Sequence, residues 1–222
     1  VYVMKSNIIC MSRHGDEYSK EEILSLLKKN GSSDTLIDWF DRCIDFHMGT
    51  AAGLLIGIYM VDYALSLLGA KPGDKLYSVC ETSKCAPDPL QVILHCTPGN
   101  HRLRVINIGR FAMTVNRPSD GDYAEGVRVR LDPAKIEDTP VLRAWFANTP
   151  DFDGKTMKKR LVEDIISKGT GMLSWEKVKV KVPHREKWKT GICTSCGEPV
   201  PENLLENGLC PGCGSQKYYE KI

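Results

Sequence analysis

The sequence is short of net charge. Lys and Arg number 30 against 28 Asp and Glu, leaving +2 over 222 residues. That near-balance excludes a highly basic nucleic-acid coat, but not a local basic patch. No internal repeat and no low-complexity segment is present. Apolar residues at 42% and charged residues at 26% exclude collagen and a disordered chain, and fit a globular fold with a real core. Residues Val1 to Met11 lack a long apolar run followed by a small-residue cleavage site, so no secretory signal is expected. One stretch, Gly49 to Leu68, is almost wholly apolar and about long enough to span a bilayer. It contains Asp62, has no flanking Lys/Arg cluster and has no aromatic belts, so it reads as a fully buried core helix and not a membrane span.

What the chain does have is cysteine. There are nine, an odd number, so they cannot all pair within the chain. A chain this rich in aliphatic residues needs no disulfide scaffold. A reducing, cytoplasmic setting with cysteines used for metal or chemistry is the expectation.

Ser19-Lys-Glu-Glu22 has the form of a capping box before a short helix that stops near Asn30-Gly31. Ser33 or Asp34 caps a second helix running toward Phe46-His47, and the apolar helix follows, ending at Gly69. Lys75 to Glu81 reads as a strand. Asp88-Pro89 reads as an N-cap with proline at the first helical position, predicting a helix from Pro89 to Cys96. Three period-two runs follow, at Arg102 to Ile108, Phe111 to Asn116 and Gly126 to Leu131; the first two are expected to form a hairpin around Gly109. Asp132-Pro133 repeats the cap signal, and Pro140 interrupts the helical turns beyond it. A helix from about Thr156 to Ser167 and a strictly alternating strand, Lys177 to Val182, complete the core. The expected fold is α+β, an antiparallel sheet with helices packed around a long buried helix. The core domain is placed at 1–182, and a linker with a four-cysteine module at 183–222.

The tail carries Cys193-Thr-Ser-Cys196 and Cys210-Pro-Gly-Cys213, each pair followed by glycine, with thirteen residues between the pairs. A two-residue gap lets both thiolates of a pair reach one ion at about 2.3 Å, and two pairs complete a tetrahedron. Zn²⁺ is the expected ion, with a single iron as the other option. All four ligands come from protein, so the site is expected to be structural and to support the fold of the tail. Beside it, Lys177 to Lys189 carries six basic residues, with His184 and Trp188 interleaved. Such a stretch could contact nucleic acid, but with whole-chain charge near zero a solvated strand face plus linker is favoured.

His47, Cys85, Asp88, His95, Cys96 and His101 sit at the ends of elements and could gather in one cleft. There a histidine–thiolate set could bind a second metal or activate a cysteine. Phe46-His47 with Gly49 and Gly53, then Glu81-Thr-Ser-Lys-Cys85-Ala-Pro-Asp88-Pro-Leu-Gln91, then Cys96-Thr-Pro-Gly-Asn100, resembles the family of formylmethanofuran dehydrogenase E-subunits. The resemblance covers roughly residues 35 to 215. It implies an α+β core with a polar cleft and an auxiliary treble-clef-like zinc finger, and it associates the chain with one-carbon metabolism. His47, Cys85, Asp88, Gln91 and Cys96 match family positions; His47, Cys85, Asp88 and Cys96 are the candidate catalytic residues. The family commonly reads Phe-His-Gly-His-x-Cys-Pro-Gly, so Gly49 and Ala51 replace a histidine and a cysteine, and His95 is a candidate replacement imidazole. A homodimer or protein partner, met through the finger, is expected; a membrane is not. The rival expectation is a non-catalytic binding module.

Overall fold

The structure is a computed structural model and describes residues 17–183 and 187–220. Cys10, His184, Arg185 and the leader reading at Val1 to Met11 lie outside the described residues. The chain divides into two compact units, Val1–Val182 and Pro183–Ile222.

The first unit opens with three helices. Helix α1, Lys20–Lys29, has the expected capping box: Ser19 accepts from the Glu22 amide, and the Glu22 carboxylate accepts from the Ser19 amide. Helix α2, Asp34–His47, is capped by Ser33 and ends at Met48 in a left-handed conformation, φ 57°. Helix α3, Ala52–Leu68, is apolar on nearly all sides because it runs through the middle of the unit. Sheet strands cover one side of it, and α2, α4 and α6 cover the others. Gly69, at φ 55°, ends it. Among the described residues, no helix is long and apolar enough to cross a membrane.

Strand β1, Tyr77–Cys80, leads to helix α4, Pro87–Leu94, and then to strand β2, Leu103–Val105. Strands β3, Ala112–Asn116, and β4, Tyr123–Leu131, follow, then helices α5, Pro140–Ala147, and α6, Lys158–Lys168. Strand β5, Leu173–Lys181, closes the unit. The sheet order is β2-β1-β3-β4-β5, antiparallel throughout except for the parallel β1–β2 pair. The expected hairpin around Gly109 is therefore absent: β1 lies between the two strands that would have formed it. Helix α4 is a crossover, and a crossover returns the chain parallel to the strand it left. Gly109, φ 78°, sits in the connection from β2 to β3 on the other side of β1.

Along β4, Val127, Val129 and Leu131 are buried while Arg128 and Arg130 are only half-buried, as the alternation predicts. Lys177 on β5 pairs with Glu125 on β4 at 2.9 Å, so part of the basic run lies on a solvated strand face.

The second unit is small. Strands β6, Thr190–Ile192, and β7, Pro199–Pro201, form a two-stranded antiparallel ribbon, followed by a short 3₁₀ turn at Glu202–Leu204. It cannot bury an extensive core, and its architecture centres on the four cysteines.

Candidate metal centre and core cleft

In the second unit, the Cys193–Cys196 turn leaves β6, and the Gly197 amide donates to the Cys193 carbonyl at 2.9 Å. Gly197 has φ 74°, a conformation that a Cβ would strain. The Cys210–Cys213 turn repeats the pattern, with the Cys213 and Gly214 amides donating to the Cys210 carbonyl at 3.0 Å each. The Thr194 amide donates to the Gly208 carbonyl at 2.9 Å, tying the first turn to the chain just before the second.

The four sulfurs of Cys193, Cys196, Cys210 and Cys213 lie within 4.8 Å of one another. A tetrahedron with metal–sulfur bonds of about 2.3 Å has edges of ~3.8 Å. The 4.0 Å between the Cys196 and Cys210 sulfurs is close to that edge and about twice a disulfide bond. All four cysteines are unbridged. The Cys196 and Cys210 amides donate toward the Cys193 sulfur and bring its thiol down to about 6. Amide donors of this kind favour the thiolate, the form that binds metal. The donor set therefore fits a metal ion held by all four residues, with no position left open for substrate.

The core cleft is built where α2, α3 and α4 meet. His47 is the last residue of α2, and its Nδ1 lies 2.7 Å from Asp88 Oδ2. The Asp88 Oδ1 accepts a longer contact, 3.4 Å, from Gln91 Nε2 one turn along α4. The Arg42 guanidinium donates to the Val92 carbonyl at 3.0 Å, so α2 and α4 are pinned beside the pair. The expected cap is displaced: α4 begins at Pro87 with Ala86 as N-cap, and Asp88 is in its first turn. Its side chain serves His47 instead of a cap.

Cys85 precedes this helix and adopts φ 28°, an uncommon conformation for a residue with a Cβ. A Cβ on Gly53 of α3 would lie 3.3 Å from the Cys85 Cβ and 3.4 Å from its sulfur, so glycine lets the turn settle on α3. Gly57 does the same one turn on, where a Cβ would meet Pro89 Cγ at 3.1 Å. Burial, and then the Asp88 charge, raise the Cys85 thiol pKa.

Cys96 does not join this group. It is fully buried, and its thiol donates to the Leu76 carbonyl at 3.3 Å. Helix α4 carries the chain ~9 Å from Asp88 to Leu94, so Cys96 lies toward the opposite end. His95 caps that same end, left-handed and exposed, and cannot supply the cleft with a second imidazole. His101 is likewise exposed, in the turn before β2. Element ends gathered in sequence are split in space because a helix has two ends.

A cavity of about 430 Å³ opens beside His47. Its wall includes the α2–α3 loop at Gly49, Thr50 and Ala51, and Trp145 of α5, Phe152 and Lys158 from the far side. The contributors from α5 and α6 carry no motif; a half-buried Trp145 edge-on to Phe111 at 6.2 Å is visible only in the fold. Among the described residues, three or more metal-ligand side chains gather only at the four tail cysteines. The core donor set does not match a second metal site.

An α+β core joined to a four-cysteine metal module defines the class. The sequence profile described as "FmdE, Molybdenum formylmethanofuran dehydrogenase operon" matches residues 46–181, and the chain belongs to the FmdE family. The chain is similar to a tungsten formylmethanofuran dehydrogenase FmdE-like protein from Syntrophus aciditrophicus, at 29% identity and TM-score 0.67. That match covers 93% of this chain and 100% of the other. It is also 25% identical over 201 residues to a probable S-adenosyl-L-methionine-binding protein of Archaeoglobus fulgidus. The aligned region is 80% of this chain and 52% of the relative, so the chain spans about half the length of that protein.

Proposed function

We propose that this is a zinc-binding FmdE-family protein with a structural finger and a core site centred on His47. The finger cysteines hold Zn²⁺, which supplies a folding cross-link and no open coordination position. In the core, the carrying observation is the 2.7 Å contact from Asp88 to His47 Nδ1 at the wall of the cavity. A carboxylate on one ring nitrogen fixes the imidazole's orientation and leaves Nε2 to exchange a proton with a bound molecule. Asp88 positions, Gln91 supports Asp88, and Cys85 stands beside them as a protonated thiol. Cys96 is a core residue in this reading. The finger, with Trp188 and Ile192 exposed on it, contacts a second copy or a protein partner, and the protein works in the cytoplasm.

Two measurements test this. Metal analysis of the purified chain should give ~1 zinc per chain, abolished by Cys193→Ser with Cys210→Ser. In proton–nitrogen spectra of labelled protein, the His47 Nδ1 proton should be protected from exchange, and Asp88→Ala should remove that protection. An unprotected His47 ring in the parent protein defeats the core reading.

A further inference from the structure

We infer that the outer edge of β5 takes up an extended acidic polypeptide segment as an added strand, on a surface separate from the finger and from His47. β5 is a border strand of the sheet. An antiparallel ladder bonds alternate residue pairs. The Val182 amide donates to the Asp122 carbonyl at 2.8 Å, and the Asp132 amide donates to the Met172 carbonyl at 3.0 Å, so the β4–β5 bonds run through even-numbered residues. The odd-numbered residues of β5 therefore turn their amides and carbonyls outward. At the two ends those carbonyls are taken: Lys135 Nζ donates to Leu173 at 2.6 Å, and the Arg104 guanidinium donates to Lys181 at 2.9 Å. Between them, the outward main-chain groups of Trp175, Lys177 and Lys179 have no partner among the described residues. Such a row is a template for another strand, and three residues offer about six main-chain bonds. The opposite border, β2, is three residues long, and its Leu103 amide already donates to the Thr97 carbonyl at 3.2 Å.

The side chains say which strand fits. Alternation puts Trp175, Lys177, Lys179 and Lys181 on one face, ~7 Å apart. The register sets Tyr123 and Glu125 of β4 on that same face, opposite Lys181 and Lys179. All six are exposed, Trp175 at 48% and Tyr123 at 57%. Lys177 holds Glu125 at 2.9 Å, while Lys179 and Lys181 meet no carboxylate among the described residues. The face is thus net positive. Lysines on an edge turn away a like strand. A second copy paired antiparallel over all three outward residues would set Lys177 against its own counterpart, so β5 is closed to itself. The same spacing draws a strand with a carboxylate at every second position, because opposite charges directly across a ladder are favourable. Trp175 at one end and Tyr123 at the other add aromatic surface for apolar residues of that strand. A phosphate backbone would meet the same lysines, but it has no donors for the outward carbonyls, so a polypeptide is the better match.

The test uses the zinc-loaded full chain and a synthetic peptide of about nine residues that alternates Glu and Val. In the free protein the Trp175, Lys177 and Lys179 amides should exchange rapidly with solvent, and saturating peptide should slow them by at least ~10-fold. Fluorescence polarisation of the labelled peptide should give a Kd of about 100 μM or tighter, and raising salt from ~0.05 to ~0.3 M should weaken it. Two control peptides are N-methylated, one at the glutamates and one at the valines. Both keep the charge, and the one whose bonding amides are blocked should bind at least ~10-fold more weakly. Lys179→Glu with Lys181→Glu should also weaken binding by ~10-fold or more. Lys179→Gln with Lys181→Gln should fall between, which guards against a misfolded first variant. Slow exchange of the three amides in the free protein overturns the inference. So does equal binding of the parent and both methylated peptides, affinity unchanged in both lysine variants, or no peptide binding up to about 1 mM. An oligothymidylate of the same length that binds more tightly than the peptide also overturns it, and assigns the edge to nucleic acid instead.

Discussion

Glu81 offers the most quantitative test of how the cleft is held. It follows β1 directly, is 7% exposed, and stands just before the turn that delivers Cys85 and Asp88. Arg128 grips both its oxygens, at 2.5 and 2.8 Å, and Arg110 adds a contact at 2.6 Å. Glu81→Gln removes the charge and sets an NH₂ against a guanidinium. Breaking a buried pair on one side costs about 3–5 kcal/mol. The cost here should sit at the low end, because Arg128 keeps Glu176 at 2.8 Å. Arg110 adds at most about 1 kcal/mol, since a solvent-exposed pair is worth little; its side chain is 63% exposed. The expectation is ~3 kcal/mol, read from urea unfolding at neutral pH. The Arg128 hydrogen bonds lower the Glu81 pKa from its ordinary 4.5. A depressed carboxylate stabilises above its unfolded pKa and loses that stabilisation as pH falls through its folded value. The gap between parent and variant should therefore be full above pH 4.5 and close below it. In a cycle with Arg128→Met, the two single losses should exceed the double loss by more than ~1 kcal/mol. A single-variant loss under ~1 kcal/mol, or a gap that does not change with pH, refutes the reasoning.

Three further outcomes are expected. Iodoacetamide at pH 8, followed by peptide mapping, should reach Cys85 before the other described core cysteines: burial pushes Cys43 to about 12 and Cys80 to about 11, and Cys96 is fully buried; Cys96 reacting as fast would contradict its placement. Gly126→Ala should cost ~1–3 kcal/mol in thermal unfolding, because the new Cβ would lie 2.7 Å from the Val115 carbonyl oxygen, whereas Gly49→Ala should be close to neutral. Gly49→His with Ala51→Cys puts two donors on the same wall as His47, and bound zinc by metal analysis should rise from ~1 toward ~2 per chain.

Much of the fold is legible where a local signal has one physical meaning. The Ser19 capping box, the Ser33 cap, Gly69 at the end of α3 and Asp132 before Pro133 all sit where the residues indicate. Period-two runs mark strands. They do not say which strands are neighbours, because alternation reports a buried face and nothing about pairing. The expected hairpin fails for that reason: closeness in sequence stands in for contact, and a short crossover helix undoes it. The four-cysteine module is legible because metal coordination constrains spacing more tightly than packing does.

The core cleft is legible only in part, and the reason lies in α4. The residues Asp88 and Pro89 support a helix beginning at either Pro87 or Pro89, since proline is tolerated anywhere in a first turn where amides have no partner. That choice decides Asp88's role. As a cap, its carboxylate would be consumed by backbone; in the first turn, it reaches His47. The same helix separates Cys85 from Cys96. Both cysteines flank it and look equivalent in sequence, yet the Cys85 carbonyl accepts from the Asp88 amide at 3.2 Å while the Cys96 thiol bonds a core carbonyl. Spacing cannot distinguish them, because position along a helix sets which end a residue meets and only the packing of α2 and α3 says which end carries the site. Gly53 and Gly57 make that choice physical: their missing side chains let the Cys85 end of α4 press close against α3.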